Sequence, residues 1–320
     1  MRKLLAMTSL LIGLVVAICV FQWVTHPDHS ITFLSAVNLS NLMQRVGLLG
    51  IYALGAGIVI LSGGIDLSIG SVMAFVGMAI GLLAAANWNP FVVSALIVPS
   101  CALLGFWHGF LVGKVKLQPF IATLSSLLLL RGLARGIPNG LSQSLPDERF
   151  AFLGNGSFVG IPIPFLILIG VALILGFMMN FTVYGRYLYA IGRNAEAVRY
   201  SGIKVNRVRT LAYVICAVLA GLAGVLELSL NREVQPAQSA LMYEMWAIAA
   251  AVLGGCSLRG GEGTVLGVIV GAILIRVMDN GMNLVGVGSE WQWAVIGVIV
   301  LGGVIADAAY KLRAEQKTKA

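Results

Sequence analysis

The residues best suited to chemistry lie in one glycine-rich stretch between two apolar segments, 62–71, which reads SGGIDLSIGS. Two glycines can end one helix in left-handed geometry, and Asp66 can cap the next helix by accepting backbone N–H bonds near Ser68 and Ile69. This pattern predicts a tight, capped helical hairpin; the alternative is that Asp66 contacts a partner protein or gates a passage. The candidate residues are Gly63, Gly64, Asp66, Ser68 and Gly70.

Sequence motifs for catalysis are missing. The nearest approach to a phosphate-binding loop, 109–115, has the wrong spacing and lacks the hydroxyl that would reach magnesium. The histidines His26, His29 and His108 form no HExxH motif, and their positions suggest no Ser-His-Asp set. The four cysteines lie in or beside apolar segments without a CxxC pair, so we expect them to pack. We therefore expect no catalytic site, metal or cofactor on this chain.

The composition indicates a membrane protein. Apolar residues make up 59% of the chain and charged residues 11%, against roughly 45–50% and about 25% in ordinary soluble domains. The core of one soluble domain cannot bury so many apolar residues, so lipid must surround much of the chain. The net charge of +8 comes from basic residues in short loops and does not indicate nucleic-acid binding.

The apolar runs predict an all-α polytopic protein with about ten transmembrane helices, since a span needs about 20 apolar residues. The first run is long for a signal peptide and no A-x-A site follows, so we expect a retained helix. The eighth run is short and ends in Gly254 and Gly255, which suggests a broken element. The helices are expected near 4–24, 46–62, 67–86, 90–112, 118–134, 164–182, 210–228, 244–256, 263–280 and 291–308.

The distribution of Lys and Arg predicts the orientation, because cytoplasmic loops carry the positive excess. With both termini in the cytoplasm, the other face keeps few of the 21 basic residues. Residues 1–320 then form a single transmembrane domain with a periplasmic loop, 136–164, a basic cytoplasmic loop, 183–209, and a cytoplasmic tail, 309–320. The basic residues left on the other face are Arg45, Arg131, Arg135, Arg149, Arg232 and Arg276.

The basic loop contains a predicted short helix, with Asn194 as its N-cap and Gly202 just past its end. The small residues Ala195 and Ala197 make it compact enough to enter a groove of another protein. The alternative is an amphipathic turn lying on lipid head groups.

Polar residues in the predicted spans have two interpretations. Arg131 and Arg135 share one helix face, and they either snorkel to the interface or line the route of a polyhydroxylated solute. Neutral hydrogen-bonding residues would suit a sugar path, although helix packing uses the same chemistry. The acidic residues Glu227, Glu244, Asp279 and Asp307 lie near predicted helix ends. The segments 61–68 and 253–258 are weakly similar, as expected of a duplicated transporter.

Several ordered motifs resemble the ribose-type permease family, the membrane subunits of monosaccharide ABC importers, which are related to branched-chain amino acid permeases. The motifs are VILSGGIDLS (59–68), QPFIATL (118–124), the segment 190–203, Tyr243-Glu244, AIAAAVLGG (247–255) and DNGMNL (279–284). The resemblance implies a type II importer-like permease in a bacterial inner membrane. It also implies a homodimer or heterodimer of permeases, a periplasmic sugar-binding protein, and cytoplasmic ATPase subunits that bind ATP and Mg.

The same resemblance assigns residues to roles. It makes 192–202 the coupling helix that enters the ATPase groove, through Gly192, Arg193, Asn194, Ala195, Ala197 and Gly202. Trp246 occupies a position where family members commonly carry an acidic residue. Because of this difference, the choice of solute or the docking of the binding protein can differ from that of the family. Candidate residues of the translocation path are Phe120, Thr123, Glu244, Asn280 and Asn283.

Two rival functions remain. An ion-driven secondary transporter is expected to carry a carboxylate in the middle of the membrane, whereas the acids here gather near predicted helix ends. An ABC permease for branched-chain amino acids would keep the architecture and change the solute.

Overall fold

A computed structural model describes residues 2–25 and 31–288, together with residues 290–291, 293–295, 297–298, 301–302 and 305. This part of the chain is mainly helical. Half of the predicted tenth helix, 291–308, and the whole tail, 309–320, lie outside the described residues. The helices are α1 (Arg2–Thr25), α2 (Ala36–Leu61), α3 (Ile69–Ala85), α4 (Pro90–Gly113), α5 (Pro119–Gly136), α6 (Glu148–Asn155), α7 (Ile163–Phe181), α8 (Val183–Arg193), α9 (Ala195–Tyr200), α10 (Val205–Asn231), α11 (Tyr243–Leu253) and α12 (Val265–Leu284).

Six of the described helices are long and apolar enough to cross a membrane, namely α1, α2, α4, α7, α10 and α12. Two shorter apolar helices accompany them, α3 with 17 residues and α11 with 11. Helix α5 has 18 residues but carries Arg131 and Arg135, and it is not among the six. The chain is therefore a multi-pass helical membrane protein, and the count of ten spans stays a prediction.

Two helices start earlier than the hydropathy predicts. Helix α2 begins at Ala36 because the Ser35 hydroxyl accepts the N–H of Asn38 at 3.3 Å and caps the first turn. Helix α10 begins at Val205, so Arg207 and Arg209 belong to its first turns. The predicted loop 183–209 is thus largely helical. We call the end of the bundle that carries α8 and α9 the basic end.

Helix α2 forms the centre of the bundle. Its residues 46–61 are buried, surrounded by α7, α10, α11 and α12. Helix α10 packs along α4 through a row of glycines: Gly105 faces Val214, Gly109 faces Thr210 and Gly113 faces Asn206. Small residues let two backbones approach closely, which stabilises helix pairs in lipid. By contrast, α1, α4 and α7 expose long apolar side chains, as lipid-facing helices do.

The predicted loop 136–164 is an ordered cap at the opposite end. Asp147 caps α6 by accepting the N–H groups of Arg149 and Phe150 at 2.9 and 3.1 Å. Two short antiparallel pairs flank this helix, and one of them ties the cap to the chain after α10. The strands are β1 (Gln143–Ser144), β2 (Ser157–Phe158), β3 (Ile161–Pro162) and β4 (Glu233–Val234), with β1 paired to β4 and β2 to β3.

Helices α3 and α11 both begin inside the bundle. Residues 62–68 run from the basic end of α2 into the bundle, where Asp66 lies beside His108 of α4. His108 is five residues before the end of α4, which is roughly 8 Å along its axis. The first residue of α11, Tyr243, stacks on Tyr52 with ring centroids 5.4 Å apart. Tyr52 lies nine residues before the end of α2, roughly 14 Å along its axis. The expectation that the eighth apolar run is short is confirmed, because α11 spans only about 16 Å.

Candidate functional site

Asp66 stabilises the turn just before α3. Its Oδ1 accepts the N–H of Ser68 at 2.8 Å and the Ser68 hydroxyl at 2.7 Å. Ser68 is the N-cap residue of α3, and no side chain in the described part of the protein accepts the first N–H groups of that helix, so the predicted bond near Ile69 is not formed. Of the two glycines, only Gly63 is left-handed, with φ +77°. Gly64 is needed for space instead, because a Cβ there would lie 2.6 Å from the Tyr213 hydroxyl. Asp66 is 2% exposed and does not reach the surface where a soluble partner would bind.

A buried histidine and a buried serine lie beside Asp66, a grouping that the positions of these residues in the sequence do not suggest. His108 Nδ1 is 3.7 Å from Asp66 Oδ2, and His108 Nε2 shares a 2.8 Å hydrogen bond with Ser126 Oγ. Ser126 is 5% exposed, and its hydroxyl also donates to the Ala122 carbonyl at 3.2 Å. A nucleophile needs access to a substrate, and the buried Ser126 lacks it, so this set is not a hydrolytic site. Its hydrogen bond and close contact instead connect α4, α5 and the loop 62–68.

The predicted helix in the basic loop is present as α9, preceded by α8. Asn194 caps α9 by accepting the N–H of Ala197 at 3.0 Å. Gly202 follows its end with φ +80°. Arg193, Asn194 and Ala197 are exposed, and Ala195 is half-buried. The cap and the terminator are both confirmed, and α9 presents a compact, accessible face at the basic end.

Gly192, just before that face, is packed against the core backbone. A Cβ on Gly192 would collide with the carbonyl oxygen of Leu61, at the end of α2, and with the backbone nitrogen of Gly261. The Gly261 N–H donates to the same Leu61 carbonyl at 2.9 Å. Three chain segments therefore meet at backbone contact: the end of α8, the end of α2 and the loop 254–264.

Two side chains reinforce this junction. The Tyr189 hydroxyl on α8 donates to the Gly263 carbonyl at 2.9 Å, and burial raises the pKa of Tyr189. The Arg209 guanidinium on α10 donates through Nε to the Ser62 carbonyl at 3.3 Å. These contacts connect α8 to the end of α2 and to the loop 254–264, and they connect the start of α10 to the residue that follows α2.

The residues proposed to line a path do not gather in one place. Phe120 is 52% exposed on the surface of α5. Thr123 is fully buried and donates to the Pro119 carbonyl at 2.9 Å, with a longer contact of 3.4 Å to the Ile65 carbonyl. Thr123 therefore supports the loop 62–68 and faces no opening.

Two further path candidates lie on α12. Asn280 and Asn38 exchange side-chain hydrogen bonds of 2.7 and 3.0 Å, which fasten α12 to α2. Asn283 is exposed and donates to the Asp279 carbonyl at 2.8 Å. Asn280 acts in packing in this conformation, and Asn283 is accessible from outside the bundle.

Glu244 lies between the first turns of α11 and α3. It is 5% exposed, and a Cβ on Gly70 would collide with its Oε2. Helix N-termini carry partial positive charge, so the first turns of two helices favour a carboxylate here. The Arg131 guanidinium adds attraction from α5. Arg131 is half-buried and turned inward, so it does not snorkel.

A second buried polar cluster surrounds Glu227 on α10. Glu227 is 9% exposed, and its Oε1 accepts the Tyr243 hydroxyl at 3.1 Å and the Asn231 side-chain amide at 3.0 Å. On α12, Arg276 is 8% exposed, 3.4 Å from Asp279 Oδ2 and 5.8 Å from the Trp246 ring centroid. Glu227 and Glu244 lie near the ends of α10 and α11, as expected from the sequence, but both side chains are buried.

Sequence reasoning missed His108, Glu227 and Arg276 as interior residues. The signal was present, because an ionisable residue within a long apolar run marks a functional or structural polar contact. The sequence does not show which residue each group contacts. His108 lies close to Asp66, 42 residues away in the chain, and Arg276 lies against the ring of Trp246 on another helix.

The chain is similar to known permeases over most of its length. Residues 38–304 match the family described as "Branched-chain amino acid transport system / permease component". The ribose import permease protein RbsC of Escherichia coli K12 is 38% identical over 279 residues, which are 86% of this chain and 87% of that protein. RbsC of Bacillus subtilis is 37% identical over 86% of each chain. The L-arabinose transport system permease protein AraH of E. coli K12 is 33% identical over 89% of this chain and 86% of that one. No solved structure gives a significant match.

Proposed function

Because this chain belongs to the family of branched-chain amino acid transport system permease components, we propose that it is the membrane-spanning subunit of an ABC importer for a monosaccharide or similar small polyhydroxylated solute. The observation that carries the proposal is the agreement of nearly the whole chain with permeases named for ribose and arabinose. A transport subunit also agrees with the sequence, which carries no nucleotide-hydrolysis motif.

The proposed assembly needs partners at both ends of the bundle. The basic end faces the cytoplasm, where ATPase subunits bind ATP and Mg and receive α9 in a groove. The opposite end, with the cap of α6 and the short strands, faces a periplasmic sugar-binding protein. Two permeases, identical or paralogous, pair in a bacterial inner membrane. About ten spans with both termini in the cytoplasm suit this arrangement and the positive-inside rule.

The contacts around Gly192 suggest how nucleotide binding reaches the membrane. When the ATPase subunits close, the α9 segments move with them. Since Gly192 touches the backbone of Leu61 and Gly261, the displacement passes to α2 and to the loop before α12 without a flexible side chain between them. The two permeases then alternate between outward-open and inward-open forms. The binding protein supplies the tight sugar site, so a weakly polar path through the membrane is sufficient.

Uptake into proteoliposomes tests the proposal. The chain is reconstituted with an ATPase and a sugar-binding protein from the same genome, and uptake of labelled ribose, arabinose and leucine is measured with and without ATP. We expect uptake of a monosaccharide that requires ATP and the binding protein. Uptake of leucine alone would assign the amino acid function instead.

An ATP-free arm with an imposed proton or sodium gradient is necessary. The burial of Glu227 and Glu244 is a feature that a gradient-driven transporter also needs. Uptake that follows the gradient in the absence of ATP would overturn the proposal in favour of a secondary transporter.

A further inference from the structure

The chain between β4 and α11, residues 235–242, dips from the cap into the bundle; we call it the re-entrant segment. At its start, the Val234 side chain faces Gly77 of α3, where a Cβ would lie 3.4 Å from it. Near its end, a Cβ on Gly70 would collide with the Ala240 carbonyl. Gly70 and Gly77 are seven residues apart, roughly 10 Å along α3. The segment therefore reaches the level at which α3 and α11 begin.

The backbone of the re-entrant segment is strained. Ala240 and Met242 have φ of +51° and +63°, in the left-handed region that disfavours residues with a Cβ. Such conformations persist where surrounding contacts over-determine them, and they concentrate at ligand clamps and switch regions. Ala240 is 2% exposed and Met242 is 37% exposed, so the strain at Ala240 lies in the interior and the strain at Met242 lies where the segment is accessible.

Many hydrogen bonds of the segment are internal. The N–H groups of Gln238 and Ser239 donate to the Gln235 carbonyl at 3.1 and 2.9 Å, and the Ser239 hydroxyl accepts the Gln235 N–H at 2.8 Å. A compact unit of this kind can move as one body, provided that its attachments to neighbouring helices are released.

Arg131 on α5 supplies such an attachment. Its Nη1 donates to the Ser239 carbonyl at 2.7 Å and its Nη2 donates to the Ala240 carbonyl at 3.2 Å. The planar fork of a guanidinium holds two adjacent carbonyls in a fixed geometry that an ammonium or a neutral amide does not reproduce. The buried carboxylate of Glu244 lies on the same side and favours the charged guanidinium.

From these contacts we infer that the re-entrant segment is the outer gate of the translocation path and that Arg131 is the positioning residue that holds it shut. The inference rests on the proposed transport function. When the fork releases the two carbonyls, relief of the strain at Ala240 and Met242 favours withdrawal of the segment from between α3 and α5. The first turns of α3 and α11, with Glu244 between them, then become accessible from the outer side.

Cysteine accessibility tests the gate without any transport. Ala240→Cys is introduced into the full chain, and its reaction with a membrane-impermeant maleimide is followed in proteoliposomes without nucleotide or substrate. The chain without this substitution gives the background from the native cysteines. We expect slow labelling with Arg131 present and at least tenfold faster labelling in Arg131→Gln, with Arg131→Lys between them. Arg135→Gln, an exposed arginine on the same helix, is the matched control and keeps the slow rate.

Equal labelling rates in Arg131→Gln and in the parent would overturn the inference, as would equal acceleration by Arg135→Gln. The buried native cysteines Cys101, Cys216 and Cys256 report on unfolding. If Arg131→Gln exposes all of them together with position 240, Arg131 maintains the fold and the gate is rejected. Failure of the proposed transport function is a separate outcome, recognised by the lack of ATP-driven uptake in the wild type.

Discussion

Gly192 lies against the carbonyl oxygen of Leu61, so closely that any side chain at position 192 would collide with it. This contact joins the segment of α8 and the exposed α9 to the end of the most deeply buried helix. Backbone-to-backbone contact transmits displacement well because interiors are close-packed and have few soft degrees of freedom. Gly192 is therefore the residue at which we expect coupling to be most sensitive to a single methyl group.

Asn194→Ala is expected to loosen α9. The substitution removes the cap on the Ala197 N–H, and loss of an N-cap costs about 1 kcal/mol. A helix of six residues is too short to be stable by itself, and besides the cap it is held by the packing of Val198. Sugar imported per ATP hydrolysed should fall several-fold while the permease remains in the membrane. Asn194→Asp keeps an acceptor and serves as the control; equal loss in both variants would show that the cap is not the cause.

Tyr189→Phe is expected to weaken the link between α8 and the loop 254–264. The lost hydrogen bond to Gly263 contributes about 1 kcal/mol. Because burial raises the pKa of Tyr189 above its ordinary value near 10, the hydroxyl keeps its proton and donates at every lower pH. The defect in coupled uptake should therefore be the same from pH 6 to pH 9. Tyr187→Phe, on the exposed side of α8, should behave as the wild type; a defect that grows with pH would contradict this account.

Asp66→Ala is expected to lower stability more than loss of a cap at the surface does. It leaves the Ser68 N–H and hydroxyl without their partner inside the bundle, and a buried unpaired donor costs about 1–3 kcal/mol. Asp147→Ala removes the two hydrogen bonds that cap α6 nearer the surface, where water can replace them. Thermal unfolding in detergent should show the larger decrease for Asp66→Ala. Equal decreases would mean that burial of Asp66 contributes little.

Gly105→Ala tests the packing of α4 on α10. The added methyl would collide with the backbone of Val214, and overpacking of this kind costs about 1–3 kcal/mol. The melting temperature in detergent should fall clearly. Gly132→Ala on α5 has no atom within 4 Å of the new methyl and should be neutral or slightly stabilising. A loss of stability in Gly132→Ala as large as in Gly105→Ala would argue against the glycine row.

Local patterns were predictable from the sequence, and long-range contacts were not. Asn194 begins α9 and Gly202 follows its end, and each acts on residues within three positions of itself. Side-chain chemistry and spacing in the sequence are therefore sufficient to predict both ends of the helix. The contact of Gly192 with Leu61 and Gly261 depends on how three distant segments fold together, and no local rule contains it. Arg131 illustrates the same limit: its position on α5 permits snorkelling, but two carbonyls 108 and 109 residues away turn it inward.

The number of sugar molecules imported per ATP hydrolysed by Gly192→Ala, in proteoliposomes with both partners, tests the central claim most directly. Gly176→Ala, whose new methyl meets open space, is the control. The account predicts that Gly192→Ala still associates with the ATPase and supports ATP hydrolysis but imports at least tenfold less sugar per ATP, whereas Gly176→Ala keeps the wild-type ratio. A wild-type ratio in Gly192→Ala, with normal amounts of protein in the membrane, would contradict it.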